Sequence, residues 1–256
     1  MKKVTGILGA MPEEIEGIKS LLSHPQEVKI ANRTFFTGSI YGQELVLVFS
    51  GWGKVAAAST VSVLIHYFKV DEILFVGLAG ALHPDLKMGD IVLGHRFYQH
   101  DMDARPFFQQ FEIPLSNQLF VETDSDSLQR AEKSLLHFLR SDAFSSGLLF
   151  EKLEFLGLAM PKYWLGEIAS GDKFVRSQTE KDQLLSALPG LLCVEMEGAA
   201  VAQVCRENQI PFIIIRIISD TANEDSHLDF PFFIQNVAAV IGKEIVKHYF
   251  EGLEKS

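Results

Sequence analysis

The segment from Leu191 to Asp220, LLCVEMEGAAVAQVCRENQIPFIIIRIISD, limits the folds open to this chain more than any other stretch. One apolar run ends in Val194-Glu195-Met196-Glu197, and the small residues Gly198-Ala199-Ala200 then begin a helix. A second apolar run, Phe212 to Ile218, ends in Ser219-Asp220. The pattern reads as strand, acidic turn, helix and strand. Two parallel strands would bring Glu197 and Asp220 to the same end of one sheet. Active sites of open α/β sheets lie at the carboxyl ends of strands. Two carboxylates placed there can divide acid and binding work.

A chain of 256 residues makes one large domain or two small ones. No repeat, low-complexity run or Pro/Ser linker divides it, so one domain over 1–256 is expected. The formal charge of −10 leaves no basic excess to neutralise a nucleic-acid backbone. A small nucleoside ligand remains compatible with that charge. The only cysteines, Cys193 and Cys205, give neither a disulfide framework nor a CxxC metal knuckle and read as buried apolar residues. The N-terminal apolar run Val4 to Met11 is followed at once by Glu13, Glu14 and Glu16, unlike a signal peptide. No apolar segment approaches the roughly 20 residues that span a bilayer. A cytoplasmic location and no membrane partner are therefore expected.

The remaining elements follow from period and punctuation. Val4 to Leu8 reads as a buried strand, and Pro12 opens a helix from Glu13 to Leu22. Arg33 to Ser39 and Glu44 to Phe49 form a hairpin about Ile40-Tyr41-Gly42-Gln43. Ser50-Gly51-Trp52-Gly53-Lys54 is a glycine-rich loop feeding a helix from Val55 to Phe68, where amide groups can hold an anion or a polarised water. It is too short for a P-loop. Asp71 to Val76 is a strand ending in a glycine-rich turn, Gly77-Leu78-Ala79-Gly80, and Ile91 to Phe97 is another strand. His100, Asp101 and Asp103 lack a recognised metal-ligand spacing, so no metal is expected. Phe107, Phe108 and Phe111 read as exposed loop aromatics suited to an interface. Asp124 or Ser125 caps a helix to Leu139, and Ser141 to Leu158 has no clear period. Tyr163 to Ala169 is a strand, and Ser177 caps a helix through Leu188. After Asp220, Thr221 to His227 reads as a loop and Asp229 to Leu253 as an amphipathic helix. The sum is an α/β domain with a mixed, largely parallel central sheet flanked by helices. GxGxxG is absent, so no dinucleotide cofactor is expected.

Seven short motifs, taken in order, resemble the methylthioadenosine/S-adenosylhomocysteine nucleosidases of the purine nucleoside phosphorylase superfamily. They are Gly9-Ala10-Met11 with Glu13-Glu14, Ser50-Gly51-x-Gly53-Lys54-Val55-Ala56-Ala57, Gly77-x-Ala79-Gly80 and Gly89-Asp90-Ile91-Val92. Ser170-Gly171-Asp172-x-Phe174, Val194-Glu195-Met196-Glu197 and Arg216-x-Ile218-Ser219-Asp220 complete the set. The resemblance implies a nucleoside phosphorylase-like fold, cleavage of a 5′-modified adenine nucleoside without cofactor or metal, and a homodimer. The segment 98–114 would then reach a neighbour's 5′ pocket.

Breaking a purine N-glycosidic bond creates an oxocarbenium-like sugar and a poor leaving group, so the purine needs a proton. The resemblance makes Asp220 that acid and Glu14 the base for an attacking water, as in inverting glycosidases where two separated carboxylates flank the bond. It places Glu197 on the ribose hydroxyls, Met196 beneath the sugar, Phe174 against the purine and Val175 at the base edge. Arg216 and Ser219 become positioning residues, with Arg216 holding Glu197 and the water. Met11, Ala79 and Gly80 line the substrate, and Phe230 lines the 5′ pocket. Plainer readings stand beside these: helix-dipole compensation for Glu14, a buried ion pair for Arg216 and core packing for Phe174. Asp172 caps or braces the purine loop.

Trp52 and Leu78 depart from the family pattern, which leaves the 5′ group of the substrate open. A futalosine-type hydrolase is one alternative. A phosphate-dependent phosphorylase is another, opposed by Glu14, whose charge would repel phosphate. A non-catalytic nucleoside-binding protein is the third.

Overall fold

The computed structural model describes residues 3–220 and 230–254. In chain order, β1 (Val4–Gly9) and α1 (Pro12–Lys19) lead to β2 (Ser23–Ile30), β3 (Arg33–Ile40) and β4 (Gln43–Phe49). Next come α2 (Lys54–His66), β5 (Glu72–Ala81), β6 (Ile91–Gln99), β7 (Val121–Glu122), α3 (Ser125–Leu139), α4 (Asp142–Ser145) and α5 (Leu148–Phe155). Then follow β8 (Tyr163–Ser170), α6 (Gln178–Ala187), β9 (Leu191–Glu195), α7 (Gly198–Glu207) and β10 (Phe212–Asp220). The C-terminal helix is three segments: α8 (Phe230–Phe233), a π-helical turn (Ile234–Ala238) and α9 (Ala239–Glu254).

The strands form one mixed sheet, as expected. Its long central ladders, β1–β4, β1–β5, β5–β10 and β6–β8, are parallel, as is β8–β9. Both faces are covered, which explains the unbroken apolar runs of β5 and β10. One face packs against α1, α3 and α9 through residues such as Ile18, Leu135 and Ile241. The other packs against α2 and α7 through Val61, Leu64 and Val201. Cys193 and Cys205 are free and lie in this second core.

The strands of the Leu191–Asp220 segment meet differently from the simple parallel pair. β9 and β10 share no ladder. Instead, β5, β10, β6, β8 and β9 pair in a closed ring, through antiparallel contacts β6–β10 and β5–β9. Gly80 is the junction: its register partners are Asp220 on one side and Val194 on the other. The acidic ends of β9 and β10 converge because β5 bridges them.

This junction explains a second departure. Gly77 to Gly80 is not a turn after β5; the strand continues through it to Ala81. Glycines in a strand mark places where other groups approach closely. A Cβ on Gly77 would lie 2.9 Å from the Ala10 Cβ and 3.0 Å from Arg216 Nη1. A Cβ on Gly80 would lie 3.2 Å from Asp220 Oδ1.

Smaller differences have local causes. The first helix stops at Lys19, and Ser23–Ile30 adds a third strand to the expected hairpin. Its mostly exposed side chains and Pro25 suit an edge strand. Asp124 caps α3 by accepting from the Ser127 amide, and Ser177 with Glu180 forms a capping box on α6. Ser141 to Leu158 becomes two short helices, whose lengths are too small to show a period. Phe107 is exposed, but Phe111 is buried. The polar stretch Thr221 to His227 lies outside the described residues.

Gly77→Val forces a branched side chain against Ala10 and Arg216. Overpacking of this kind costs about 1–3 kcal/mol, a fall of several degrees in Tm for a chain of this size. A thermal unfolding curve checks it; a midpoint equal to that of the parent would contradict the close packing.

Candidate active site

The glycine-rich loop before α2 presents backbone amides at a helix N-terminus, where carboxylates are favoured. The protein fills these positions itself. The Gly53 amide donates to Glu197 Oε1 at 2.8 Å, and the Lys54 amide donates to Asp172 Oδ1 at 2.7 Å. Gly53 has φ +86°, and a Cβ there would meet Asp172 Oδ1 at 2.8 Å. Glycine is therefore required on both counts. Asp172 in this way braces the loop after β8 onto α2, and its amide donates in turn to Asp101 Oδ2. Asp101 accepts from Lys54 Nζ at 2.5 Å, while Asp103 is held by Arg105.

Arg216 is fully buried on β10, and its partner is Glu195, not Glu197. Nη2 donates to Glu195 Oε2 at 2.6 Å and Nε at 3.2 Å. The guanidinium also lies 4.0 Å over the Phe75 ring. Glu195 accepts further from the Ser170 hydroxyl and from the Glu197 and Gly198 amides. A buried ion pair is stable only when such extra donors satisfy it. The expected contact of Arg216 with Glu197 fails because the turn into α7 directs Glu197 to the Gly53 amide instead. Arg216 still favours the ionised form of Glu197 through space. Burial first, and the charge of Glu195 second, push the Glu197 carboxyl up from the ordinary carboxylate range.

Glu14, in the first turn of α1, is fully buried, which removes the plain dipole reading of a solvated acid. Oε2 accepts from the Ala10 and Met11 amides at 2.8 and 2.9 Å. Oε1 is buried and takes no hydrogen bond from the described residues. Burial pushes this carboxyl up to about 7, against the lowering effects of the Met11 amide and the Arg216 charge.

Asp220 ends β10, almost buried, and its Oδ2 accepts from the Ser219 hydroxyl at 3.1 Å. The Ser219 hydroxyl also lies 3.4 Å from the Ala79 carbonyl. Lys181 of α6 is within electrostatic reach of Asp220.

These groups surround a cavity of about 340 Å³, a size suited to a small ligand. Asp220, Ser219, Ala79 and Gly80 line one side. Glu197, Met196 and Met11 line another, with Phe174 and Val175 beside them. Trp52 stands at the rim, largely exposed, with Nε1 donating to the Ala10 carbonyl at 3.1 Å. Phe174 is half exposed, so it is not a core residue. Glu14 and Arg216 lie behind the wall; Ala10 and Met11, which carry the amides bound by Glu14, form it. The side chain of Phe230 lies outside the described residues.

The motifs alone do not reveal the work of Glu195 and Ser170. The signal was present: a buried arginine at mid-strand needs a buried acid, and two glutamates in Val194-Glu195-Met196-Glu197 compete for it. Alternation along a strand end leaves that choice undecided until the turn geometry is known. Leu78 and Lys173 also line the cavity, and Lys173 is paired with Glu180.

A profile of the Phosphorylase superfamily matches residues 4–251. The chain is 33% identical over 250 residues to a 5′-methylthioadenosine/S-adenosylhomocysteine nucleosidase of Anoxybacillus flavithermus, covering 97% of this chain and 98% of the relative. Its fold matches the nucleosidase of the same description from Colwellia psychrerythraea, solved in complex with adenine, with a TM-score of 0.85 and 30% identity. That match covers 99% of this chain and 96% of the other. It also matches the futalosine hydrolase of Helicobacter pylori, with a TM-score of 0.80 and 32% identity, over 97% of both chains.

Burial of Glu14 has a stability signature. Its carboxyl binds a proton more tightly in the folded chain than at the ordinary value of 4.5. Between about pH 4.5 and 7 the unfolded chain has released a proton that the folded chain retains, so stability falls as pH rises. A pKa raised from 4.5 to about 7 corresponds to a loss of about 3 kcal/mol once the fall is complete. Glu14→Gln is therefore expected to be more stable than the parent by about 2–3 kcal/mol at about pH 8 and nearly equal to it at about pH 4.5. Urea unfolding at the two pH values measures this; an equal difference at both would contradict a buried, proton-retaining Glu14.

Proposed function

The chain belongs to the 5′-methylthioadenosine/S-adenosylhomocysteine nucleosidase family of the phosphorylase superfamily, and from that premise we propose that it hydrolyses the N-glycosidic bond of 5′-modified adenine nucleosides. Methylthioadenosine and S-adenosylhomocysteine are the substrates, and adenine and the thioribose the products. The observation that carries this reading is Glu14: a fully buried carboxylate with one oxygen held by two amides, the other oxygen without a hydrogen bond from the described residues, and a pKa pushed up to about 7. A general base works best with a pKa near the operating pH.

In the reaction, Asp220 donates its proton to N7 of the purine as the C1′–N9 bond breaks and its electron pair passes to the base. Water attacks C1′ from the opposite face and gives its proton to Glu14. The resulting proton on Glu14 and the one lost from Asp220 are exchanged with solvent, which restores both. Glu197, fixed by the Gly53 amide, accepts from the ribose hydroxyls; such contacts strengthen as positive charge grows on the sugar. Met196 lies beneath the sugar, Phe174 stacks on the purine, and Val175 reads the base edge. Ser219 orients Asp220 through the bond between their side chains. Arg216 acts through Glu195 and through its charge on Glu14.

Likeness to a futalosine hydrolase supports a second reading of the 5′ group alone, with Trp52 and Leu78 of the cavity lining as the deciding side chains. We place the enzyme in the cytoplasm and in methionine salvage. Among the described residues no helix is long and apolar enough to cross a membrane. We further propose a homodimer, supported by the exposed Phe107 and Leu115 in and beside the 98–114 segment.

A substrate panel of methylthioadenosine, S-adenosylhomocysteine, 5′-deoxyadenosine, aminodeoxyfutalosine and inosine, with base release followed, tests the assignment. Fastest adenine release from methylthioadenosine or S-adenosylhomocysteine is expected; fastest release from aminodeoxyfutalosine establishes the second reading. Asp220→Asn and Glu14→Gln each lower kcat by about 100- to 10,000-fold. Wild-type kcat/KM rises with pH through about 7 as Glu14 ionises. Tight nucleoside binding without turnover in the parent chain would sink the enzymatic reading.

A further inference from the structure

On the face of the molecule formed by α3 and α9, a second cavity of about 290 Å³ is lined by His137, His248 and Glu251. One potential ligand atom from each of the three lies within 4.8 Å of the others. His248 and Glu251 are one turn apart on α9, so their side chains share a helix face. His137 comes from the last turn of α3, and the two imidazole rings meet edge to face, 5.3 Å between centroids.

We propose that His137, His248 and Glu251 bind a divalent transition-metal ion of the zinc class, outside the catalytic cavity, and that this ion ties α9 to α3. The donor set decides the class of ion. Two imidazoles and a carboxylate suit zinc and its neighbours, whereas calcium and magnesium require oxygen ligands throughout. Zinc–nitrogen bonds of about 2.0–2.1 Å place tetrahedral ligand atoms about 3.4 Å apart. A spacing of up to 4.8 Å needs only a modest side-chain adjustment. His137 is exposed and able to make it.

Two further hydrogen bonds orient the set, as outer-shell partners do around protein-bound metals. His248 Nδ1 lies 2.9 Å from the Glu244 carbonyl. Donation there leaves Nε2 with the lone pair that coordinates. Tyr41, from the turn between β3 and β4, donates its hydroxyl to Glu251 Oε1 at 3.0 Å. The nearby charges leave room for a cation. Arg130 is engaged by Glu72 at 2.6 Å, and Lys247 is paired with Glu244 at 3.4 Å. Lys133 also borders the cavity but is exposed to solvent, where its charge is screened.

The test uses the full chain stripped with EDTA, then dialysed against zinc chloride, with bound zinc and the thermal midpoint measured. One ion per chain and a midpoint raised by several degrees are expected, since an ion that binds only the folded state stabilises it. His137→Ala is the informative variant, because an exposed residue is replaced and the fold is not at risk. It is expected to weaken zinc binding by about 100-fold or more and to abolish the rise in midpoint. Its metal-free midpoint falls by no more than the loss of the one ring contact with His248, and its adenine release remains that of the parent. Equal zinc binding by His137→Ala and the parent, or no stoichiometric zinc on the parent, would overturn the proposal. Neither result bears on the nucleosidase reading, which is followed separately by adenine release.

Discussion

The ion pair between Arg216 and Glu195 is the interaction on which the rest of the site depends. Two charges taken from water are costly unless every remaining donor and acceptor is met. Here the Ser170 hydroxyl, two backbone amides and the Phe75 ring supply what the pair itself does not. The demands of that arrangement fix several other residues. Gly77 leaves room for the guanidinium, and Gly198 allows the first amide of α7 to approach Glu195. The same arginine sits near three buried carboxylates, of which it neutralises one. Burial keeps the Glu14 and Glu197 carboxyls raised even with its charge nearby. A base poised near neutral pH follows from that burial.

Much of the fold was legible because its strands announce themselves. The runs of β1, β5 and β10 are long and apolar, and Asp124, Ser177 and Pro12 mark helix starts by side-chain chemistry. What could not be read is how the sheet closes. Ring closure at Gly80 depends on pairing between residues more than a hundred positions apart, and no local pattern encodes it. The Gly77–Gly80 segment looked like a turn because glycine serves turns and close-packed strands alike. Edge strand β2 was hidden by its polar side chains. For the site, the residue types were readable from the motifs, but the partner of Arg216 was not. Glu195 and Glu197 are two positions apart, and only the turn into α7 sends one to the arginine and the other to the Gly53 amide.

The glycine-rich loop illustrates how one structural device serves different chemistry. A helix N-terminus with free amides is a natural anion site. In this chain the amides of Gly53 and Lys54 are already taken by Glu197 and Asp172. Among the described residues the basic side chain lining the cavity is Lys173, and it is paired with Glu180. Among the described residues, these two amides and Lys173 are therefore already committed and not open to phosphate, and Glu14 adds a carboxylate behind the wall. A water molecule has no such requirement. The electrostatics of the cavity thus favour hydrolysis over phosphorolysis on a fold whose superfamily takes its name from the latter.

The identity of the nucleophile is what separates hydrolysis from phosphorolysis, and the sugar product reads it directly. Methylthioadenosine is incubated with the enzyme in phosphate buffer and in a phosphate-free buffer of equal ionic strength, with adenine release timed and the sugar analysed by phosphorus and proton NMR. Equal rates and free methylthioribose in both buffers are predicted. Adenine release that requires phosphate, with methylthioribose 1-phosphate as the product, would contradict it.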